Sequence, residues 1–444
     1  MSPGRVAPAA ALICLLLAGC ALPEVTLRAP PVAAAERADA AHLIVVTLRN
    51  DVRAQTAHAG ATPRGYEDAG QYGVTGQASR QVHALEHDYH LRSVSAWPIA
   101  SLQVHCVMFR LPGGVDRTRM IAQLAQDQRV ESVQPLNQFT ALGSGMPSPP
   151  APTDAAALPY NDPYAHLQGS LRQLGIVQAH QRSRGAGVRV AVIDTGLDYG
   201  HPDLQQRVIQ RRNFVDDDEP AFRADVHGTE VTGVIAAVAN NGIGIVGIAP
   251  EARVIALKAC WQAAPDSAAV CNSFTLAQAL EAALVAHADI VNMSLAGPTD
   301  PLLTRLVQAG ARQGTLFVAA VPPGAARSFP ADLDAVLAVE AAGPVTTPGH
   351  LAAPARDVLT LTPGGHYDFA SGSSLAAAEV SGILALMLSE RHHLTAGEAR
   401  DILTRSIRPI VTAGGLLMSV DACAAIAPDP HSSRSTDARD LAVH

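Results

Sequence analysis

Ser371-Gly372-Ser373-Ser374-Leu375-Ala376 joins two unlike stretches of chain. Ahead of it, Pro363-Gly364-Gly365-His366-Tyr367 is a turn-rich approach. Behind it, Leu375 to Leu388 is a run of small and apolar residues long enough for a buried helix. Small residues at a helix start leave backbone N–H groups free to face a bound group, where the positive end of the helix dipole also lies. A serine there can act as a nucleophile if a base reaches it. Taken alone, Ser and Gly before a helix are an ordinary cap. The chemistry of the stretch therefore depends on what the rest of the chain brings to it.

The chain has 444 residues, 48% of them hydrophobic, enough for two or more domains with a large core. A net charge of -8 argues against a nucleic-acid binder held by its overall field. No mid-chain apolar run reaches the ~20 residues needed to span a bilayer. At the N-terminus, Arg5 precedes an apolar stretch, Ala9 to Leu17, too short to span and suited to a signal peptide over 1–19. It ends Leu17-Ala18-Gly19-Cys20, which resembles the lipobox of bacterial lipoproteins. That resemblance implies export, a lipid on Cys20 and a membrane anchor, with Ala21 in place of Asp favouring the outer membrane. Export makes disulfides available. Cys260 and Cys271 flank a short Ala/Pro/Asp/Ser loop and form the obvious pair, the alternative being two buried thiols. Closing so short a loop stabilises by about 3 kcal/mol if unstrained. Cys106 and Cys423 have no local partner.

Residues 20–41 are rich in Ala, Pro and charge and read as a tether. Residues 42–142 carry the order strand, helix, strands, helix, strand, which fits a small ferredoxin-like α/β domain whose last strand runs from Val130 to Phe139. Residues 143–159 read GSGMPSPPAPTDAAALP and form an exposed linker open to proteolysis. From 160 to 427, short apolar runs alternate with helical segments. The runs are Val188 to Ile193, Val254 to Leu257, Ile290 to Leu295, Leu316 to Ala320 and Val336 to Val339. They suit strands buried on both faces, so this part is expected to be a doubly wound, mostly parallel sheet with its ligand at the carboxyl ends of the strands. Residues 428–444 are polar and expected to be disordered.

Two further segments join the serine stretch. Val190-Ala191-Val192-Ile193-Asp194-Thr195-Gly196 puts a carboxylate at the exit of a buried strand. His227-Gly228-Thr229-Glu230-Val231-Thr232-Gly233 puts an imidazole at the start of a small-residue helix. Each alone is an unremarkable turn or helix start. Together, and in the order Asp, His, Ser, they resemble the three signature motifs of the subtilisin-like serine proteases, or subtilases. Asn213-Phe214-Val215, Gly247-Ile248-Ala249-Pro250 and Asn292-Met293-Ser294-Leu295 extend the resemblance over about Asn161 to Ile426. The domain at 42–142 resembles the subtilase inhibitory propeptide by pattern and position.

The resemblance implies an exported serine endopeptidase made as a zymogen, with protein or peptide substrates and its own prodomain as inhibitor. Ser374 is then the nucleophile, His227 the general base and acid, and Asp194 the group that orients the imidazole. Ser294-Leu295-Ala296-Gly297 aligns with the strand that pairs with substrate, Ala296 standing where Gly is usual. No cofactor is implied; many subtilases bind calcium, but no metal ligands are assigned, and Asp216-Asp217-Asp218-Glu219 reads as a solvated loop. Four positions depart from the family pattern. Pro322 occupies the place of the Asn that donates to the oxyanion, Glu230 that of a second His, and Val226 that of a Gly before His227. Ala378-Glu379 replaces Pro-His after the serine. Losing one oxyanion donor costs about 10²–10³ in kcat. The alternative is therefore a catalytically impaired, subtilase-fold binding protein.

Overall fold

The computed structural model describes residues 34, 39–51, 73–143, 158–262, 267–325, 327–412 and 415–427. The signal peptide, Cys20, most of the tether, the body of the linker and the polar tail lie outside the described residues.

The N-terminal domain is built from β1 (Leu43–Arg49), α1 (Gly76–Tyr89), β2 (Arg92–Ile99), β3 (Val104–Arg110), α2 (Arg117–Leu124) and β4 (Ser132–Pro135). Its antiparallel sheet has the order β2-β3-β1-β4. Thr75 caps α1 by accepting from Ala78 N at 3.1 Å, and Asp116 caps α2 by accepting from Arg119 N at 2.7 Å. Ile44, Val46, Val107 and Phe109 pack under Val82, Leu85, Met120 and Leu124 of the two helices. Leu43, Val45, Trp97, Cys106 and Met108, on the opposite face, share a core with the larger domain. The sheet is thus covered on both sides, which explains why β1 is buried from Leu43 to Leu48 and does not alternate.

The expected last strand, Val130 to Phe139, is two strands. β4 ends at Pro135, and one further hydrogen bond, from Leu136 N to Leu43 O at 3.2 Å, closes its ladder with β1. After Leu136 and Asn137 the chain leaves this sheet, and β5 (Gln138–Ala141) enters another.

The larger domain begins with β6 (Arg189–Asp194), β7 (Val208–Asn213), α3 (Val226–Ala236) and β8 (Arg253–Lys258). A short hairpin, β9 (Cys260–Gln262) with β10 (Ala269–Asn272), leads into α4 (Ser273–Val285). There follow β11 (Ile290–Met293), β12 (Leu295–Ala296), α5 (Pro301–Arg312), β13 (Leu316–Ala320), β14 (Val336–Ala341) and β15 (Leu351–Ala353). The hairpin β16 (Val358–Thr362) and β17 (His366–Ala370) precedes α6 (Ser373–Glu390), and α7 (Ala396–Ser406) and a hairpin of β18 (Arg408–Thr412) and β19 (Gly415–Ser419) follow it. Seven strands form one parallel sheet, β15-β14-β13-β11-β6-β8-β7. Alternate side chains feed two cores. Val190, Val192, Val254, Ala256 and Val318 meet α3 and α6, while Ala191, Ile193, Ile255, Leu257 and Phe317 meet α4 and α5. α6 is apolar on nearly all sides because it is buried on nearly all sides.

A second boundary also differs from expectation. Ile290 to Leu295 is not one strand: β11 stops at Met293, and Leu295 and Ala296 pair in the second sheet, β12-β5-β10-β9. Cys260 and Cys271 face each other across the β9–β10 ladder in disulfide geometry, with Cα atoms 4.2 Å apart.

Candidate active site

Three elements deliver the three sequence-predicted residues to one place. Asp194 ends β6, His227 lies in the first turn of α3, and Ser374 in the first turn of α6. The close approach of α3 to the β6 exit requires glycine: a Cβ on Gly228 would lie 1.8 Å from the Gly196 carbonyl oxygen. His227 Nδ1 donates to Asp194 Oδ1 at 2.7 Å, and the same oxygen accepts from Thr195 N at 2.7 Å. Asp194 is 3% exposed and Ser374 is fully buried.

His227 Nε2 donates to the carbonyl oxygen of Leu142 at 3.1 Å. Both ring nitrogens therefore face acceptors, and both must carry protons. Burial opposes that charge, but the Asp194 carboxylate, with Glu230 and the Leu142 carbonyl, outweighs it and pushes the imidazole up to about 9. Ser374 Oγ makes no hydrogen bond among the described residues. The Leu142–Gly143 peptide shares the space around Gly372 with it. A Cβ on Gly372 would sit 3.2 Å from Ser374 Oγ, 3.3 Å from Gly143 O and 3.7 Å from Leu142 O.

The chain arrives there through β5, which lies as a strand between two others. On one side Leu295 pairs with Ala141 and Ala296 with Thr140, and Leu142 N donates to Ser294 O at 2.9 Å. On the other side Val270 pairs with Thr140 and Cys271 with Phe139. The Ser294–Gly297 segment thus flanks β5, with Leu295 and Ala296 as the paired strand. Phe139 is buried against Gly297, where a Cβ would lie 2.3 Å from its ring, and its ring stands 5.9 Å from that of Phe329.

Behind Asp194 stands a buried group that sequence reasoning missed. Thr195 Oγ1 lies between Asp194 Oδ1, at 3.1 Å, and Asp225 Oδ1, to which it donates. Lys258, 3% exposed, donates to the Thr195 carbonyl, and its Nζ is 3.4 Å from Asp225 Oδ2. Burial raises the Asp225 carboxyl, Lys258 and the Thr195 hydroxyl pull it back, and the Asp194 charge raises it again. The available signal was a lysine closing an otherwise apolar strand, with an aspartate two residues before His227.

The four departures resolve differently. Glu230 is buried on α3 and adds to the charge that favours the His227 cation. Val226 is exposed at the helix start. Glu379 is fully buried; burial pushes its carboxyl well above the usual range, and nearby Ser170 only tempers this. Pro322 follows β13 and presents neither an N–H nor a side-chain donor. In the acidic loop, Asp218 caps the helix Glu219–Arg223 by accepting from Ala221 N at 2.9 Å.

A carboxylate, an imidazole and a buried serine at a helix start, beside a strand-shaped channel, form an arrangement for acyl transfer to water. A subtilase-family profile matches residues 185–435, more than half of the chain. The chain belongs to the subtilase family. It is 37% identical over 230 residues to an intracellular serine protease of Paenibacillus polymyxa, covering 46% of this chain and 68% of that one. It is 30% identical over 244 residues to thermitase of Thermoactinomyces vulgaris, covering 52% of this chain and 85% of that one. Fervidolysin of Fervidobacterium pennivorans, described as a keratinolytic enzyme related to subtilisin, shares the fold: TM-score 0.66, 20% identity, 88% of this chain and 61% of that one. This subtilase is accordingly a subtilisin-like serine endopeptidase, a class whose members cut through an Asp-His-Ser triad.

Proposed function

We propose that this subtilase is exported as an inhibited precursor, that Asp194, His227 and Ser374 are its triad, and that residues 42–142 are its inhibitor. The observation that carries the reading is the Leu142–Gly143 peptide lying beside Ser374, with β5 paired on both sides as a substrate strand. Once His227 releases its Nε2 proton, that nitrogen can accept the Ser374 hydroxyl proton while Oγ attacks the peptide carbonyl. His227 then passes the proton to the leaving amine, and Asp194 holds Nδ1–H throughout. The chemistry needs no cofactor and none is assigned. The segment in the channel suggests peptides with an aromatic residue at the Phe139 place, a small one at Ala141 and an aliphatic one at Leu142. An impaired binding protein is not favoured, because the relatives are named as serine proteases and His227 is hydrogen-bonded to Asp194 as a catalytic base needs.

The anchoring reading rests on the lipobox alone. A lipid on Cys20 would lie on the prodomain side of Leu142–Gly143, so cleavage there would free the catalytic domain from the membrane. Cell fractionation tests this: a matured catalytic domain still carrying lipid would contradict it. Serine reactivity is tested with a fluorophosphonate probe. Wild type should label once residues 42–142 are removed, and Ser374→Ala should not. Equal labelling of the two would sink the triad assignment.

A further inference from the structure

We infer that the bond between Cys260 and Cys271 holds the outer wall of the substrate channel in place, and so makes this enzyme selective for extended peptides over short ones. The inference rests on the reading of the channel as a peptide-binding site.

The two walls of the channel are built differently. The β12 wall follows directly from β11 of the seven-stranded sheet, Leu295 is buried, and Gly297 N donates to Phe329 O at 3.0 Å. The β10 wall belongs to a two-stranded hairpin. Its partners are β9 on one side and β5 on the other, and it makes no pairing with the large sheet. Pairing with β9 amounts to three positions: Ala269 with Gln262, Val270 with Trp261, and Cys271 with Cys260. A two-stranded hairpin of this size is marginal by itself in water. When β5 leaves, β10 loses one of its two neighbours.

Backbone and capping hydrogen bonds anchor the hairpin at its feet. Cys260 follows Ala259, whose N–H donates to the Asp194 carbonyl at 2.8 Å. Asn272 caps α4, accepting from Phe274 N at 3.0 Å and Thr275 N at 2.9 Å. The cysteine pair ties the two stems just above those feet. Cys271 is also the residue opposite Phe139, three residues ahead of Leu142. Val270, which pairs with Thr140, stands beyond the tie. With the tie closed, the strand that must receive the third and fourth residues before the scissile bond is already extended when substrate arrives. With it open, the stems can splay, and that part of the substrate must order its own wall, a cost that falls on binding. The residues nearest the scissile bond meet Ser294 and Leu295 instead and should not sense the change.

The switch is chemically simple. A dithiol reductant gives two electrons to the sulfur–sulfur bond, the two cysteines take up two protons, and the dithiol closes into its own cyclic disulfide. Cys106 and Cys423 are free thiols and change nothing in this step.

The test uses the matured enzyme and two chromogenic substrates, succinyl-Phe-Thr-Ala-Leu-p-nitroanilide and succinyl-Ala-Leu-p-nitroanilide. On reduction with dithiothreitol, KM for the long substrate should rise about tenfold with kcat within about twofold, and the short substrate should be unaffected. Removal of the reductant in air should restore the long-substrate KM. The double variant Cys260→Ser with Cys271→Ser should behave like the reduced enzyme; if it does not fold, the reversible reduction of wild type alone decides. An equal loss on both substrates, or no change on either, overturns the inference. If the oxidised enzyme cuts neither peptide, it is the protease reading that fails, before the cysteines are in question.

Discussion

His227 Nε2 is hydrogen-bonded to the Leu142 carbonyl and not to Ser374 Oγ, so the base is engaged by the chain segment that occupies its own channel. The segment and a proton are held together. The imidazole is raised from 6.5 to about 9 in this state, against the cost of burial, by Asp194 first and then by Glu230 and the Leu142 carbonyl. A group raised in the bound state favours binding below its free value, and that contribution fades as pH climbs through the bound value. Release removes the Leu142 contact, a carboxylate once the bond is cut, together with part of the opposing burial, so the dependence should be shallower than tenfold per pH unit. Dissociation of the cleaved prodomain complex should therefore speed up steadily from neutral pH toward about 9. A rate that is flat or falls over that window would contradict the assignment.

Pro322, where the family pattern has the Asn that donates to the oxyanion, carries no side-chain donor. Pro322→Asn should raise kcat on a short peptide ester by at least about tenfold, part of the 10²–10³ that such a donor supplies, with KM little changed. Active-site titration alongside the rates would separate a true gain from a larger active fraction. No gain would mean that another group already fills the role.

Lys258 and Asp225 compensate each other behind the catalytic carboxylate. Lys258→Met should cost about 2–4 kcal/mol of stability, because it strands a partly buried carboxylate next to Asp194. Adding Asp225→Asn should recover most of that loss. Urea unfolding of the two single variants and the double variant measures the coupling, and strictly additive losses would contradict the pairing.

Glu379 sits inside the domain with its carboxyl raised well above the usual range by burial. A raised carboxyl contributes most at low pH, and its contribution is lost as pH rises above the unfolded-state value near 4.5. Glu379→Gln should thus be about 1–3 kcal/mol more stable than wild type near neutral pH and nearly equal to it at about pH 4.5. Denaturant melts at the two pH values check this, and the opposite pH trend would refute it.

The legible parts of this chain were those whose reasons are local. Asp194, His227 and Ser374 each sit in a short motif that a strand exit or helix start requires, and the parallel strands announce themselves as apolar runs. What stayed hidden depends on partners far along the chain. Val130 to Phe139 reads as one strand because nothing local says that pairing with β1 stops after Leu136 and that Gln138 begins a new one with β10. Leu295 leaves the β11 ladder for the same reason: its partner is Ala141. Lys258 lies just past the apolar run Val254 to Leu257, and nothing local says that the fold places Asp225 beside it. The Cys260–Cys271 pair was visible from spacing, but its position opposite Phe139 was not.

The central claim is that Ser374 cuts the chain it holds, at Leu142–Gly143. Purified full-length precursor, incubated alone, should yield a product whose N-terminal residue by sequencing is Gly143, and the Ser374→Ala precursor should stay intact under the same conditions. A Ser374→Ala precursor that is cut at the same bond and the same rate would contradict it.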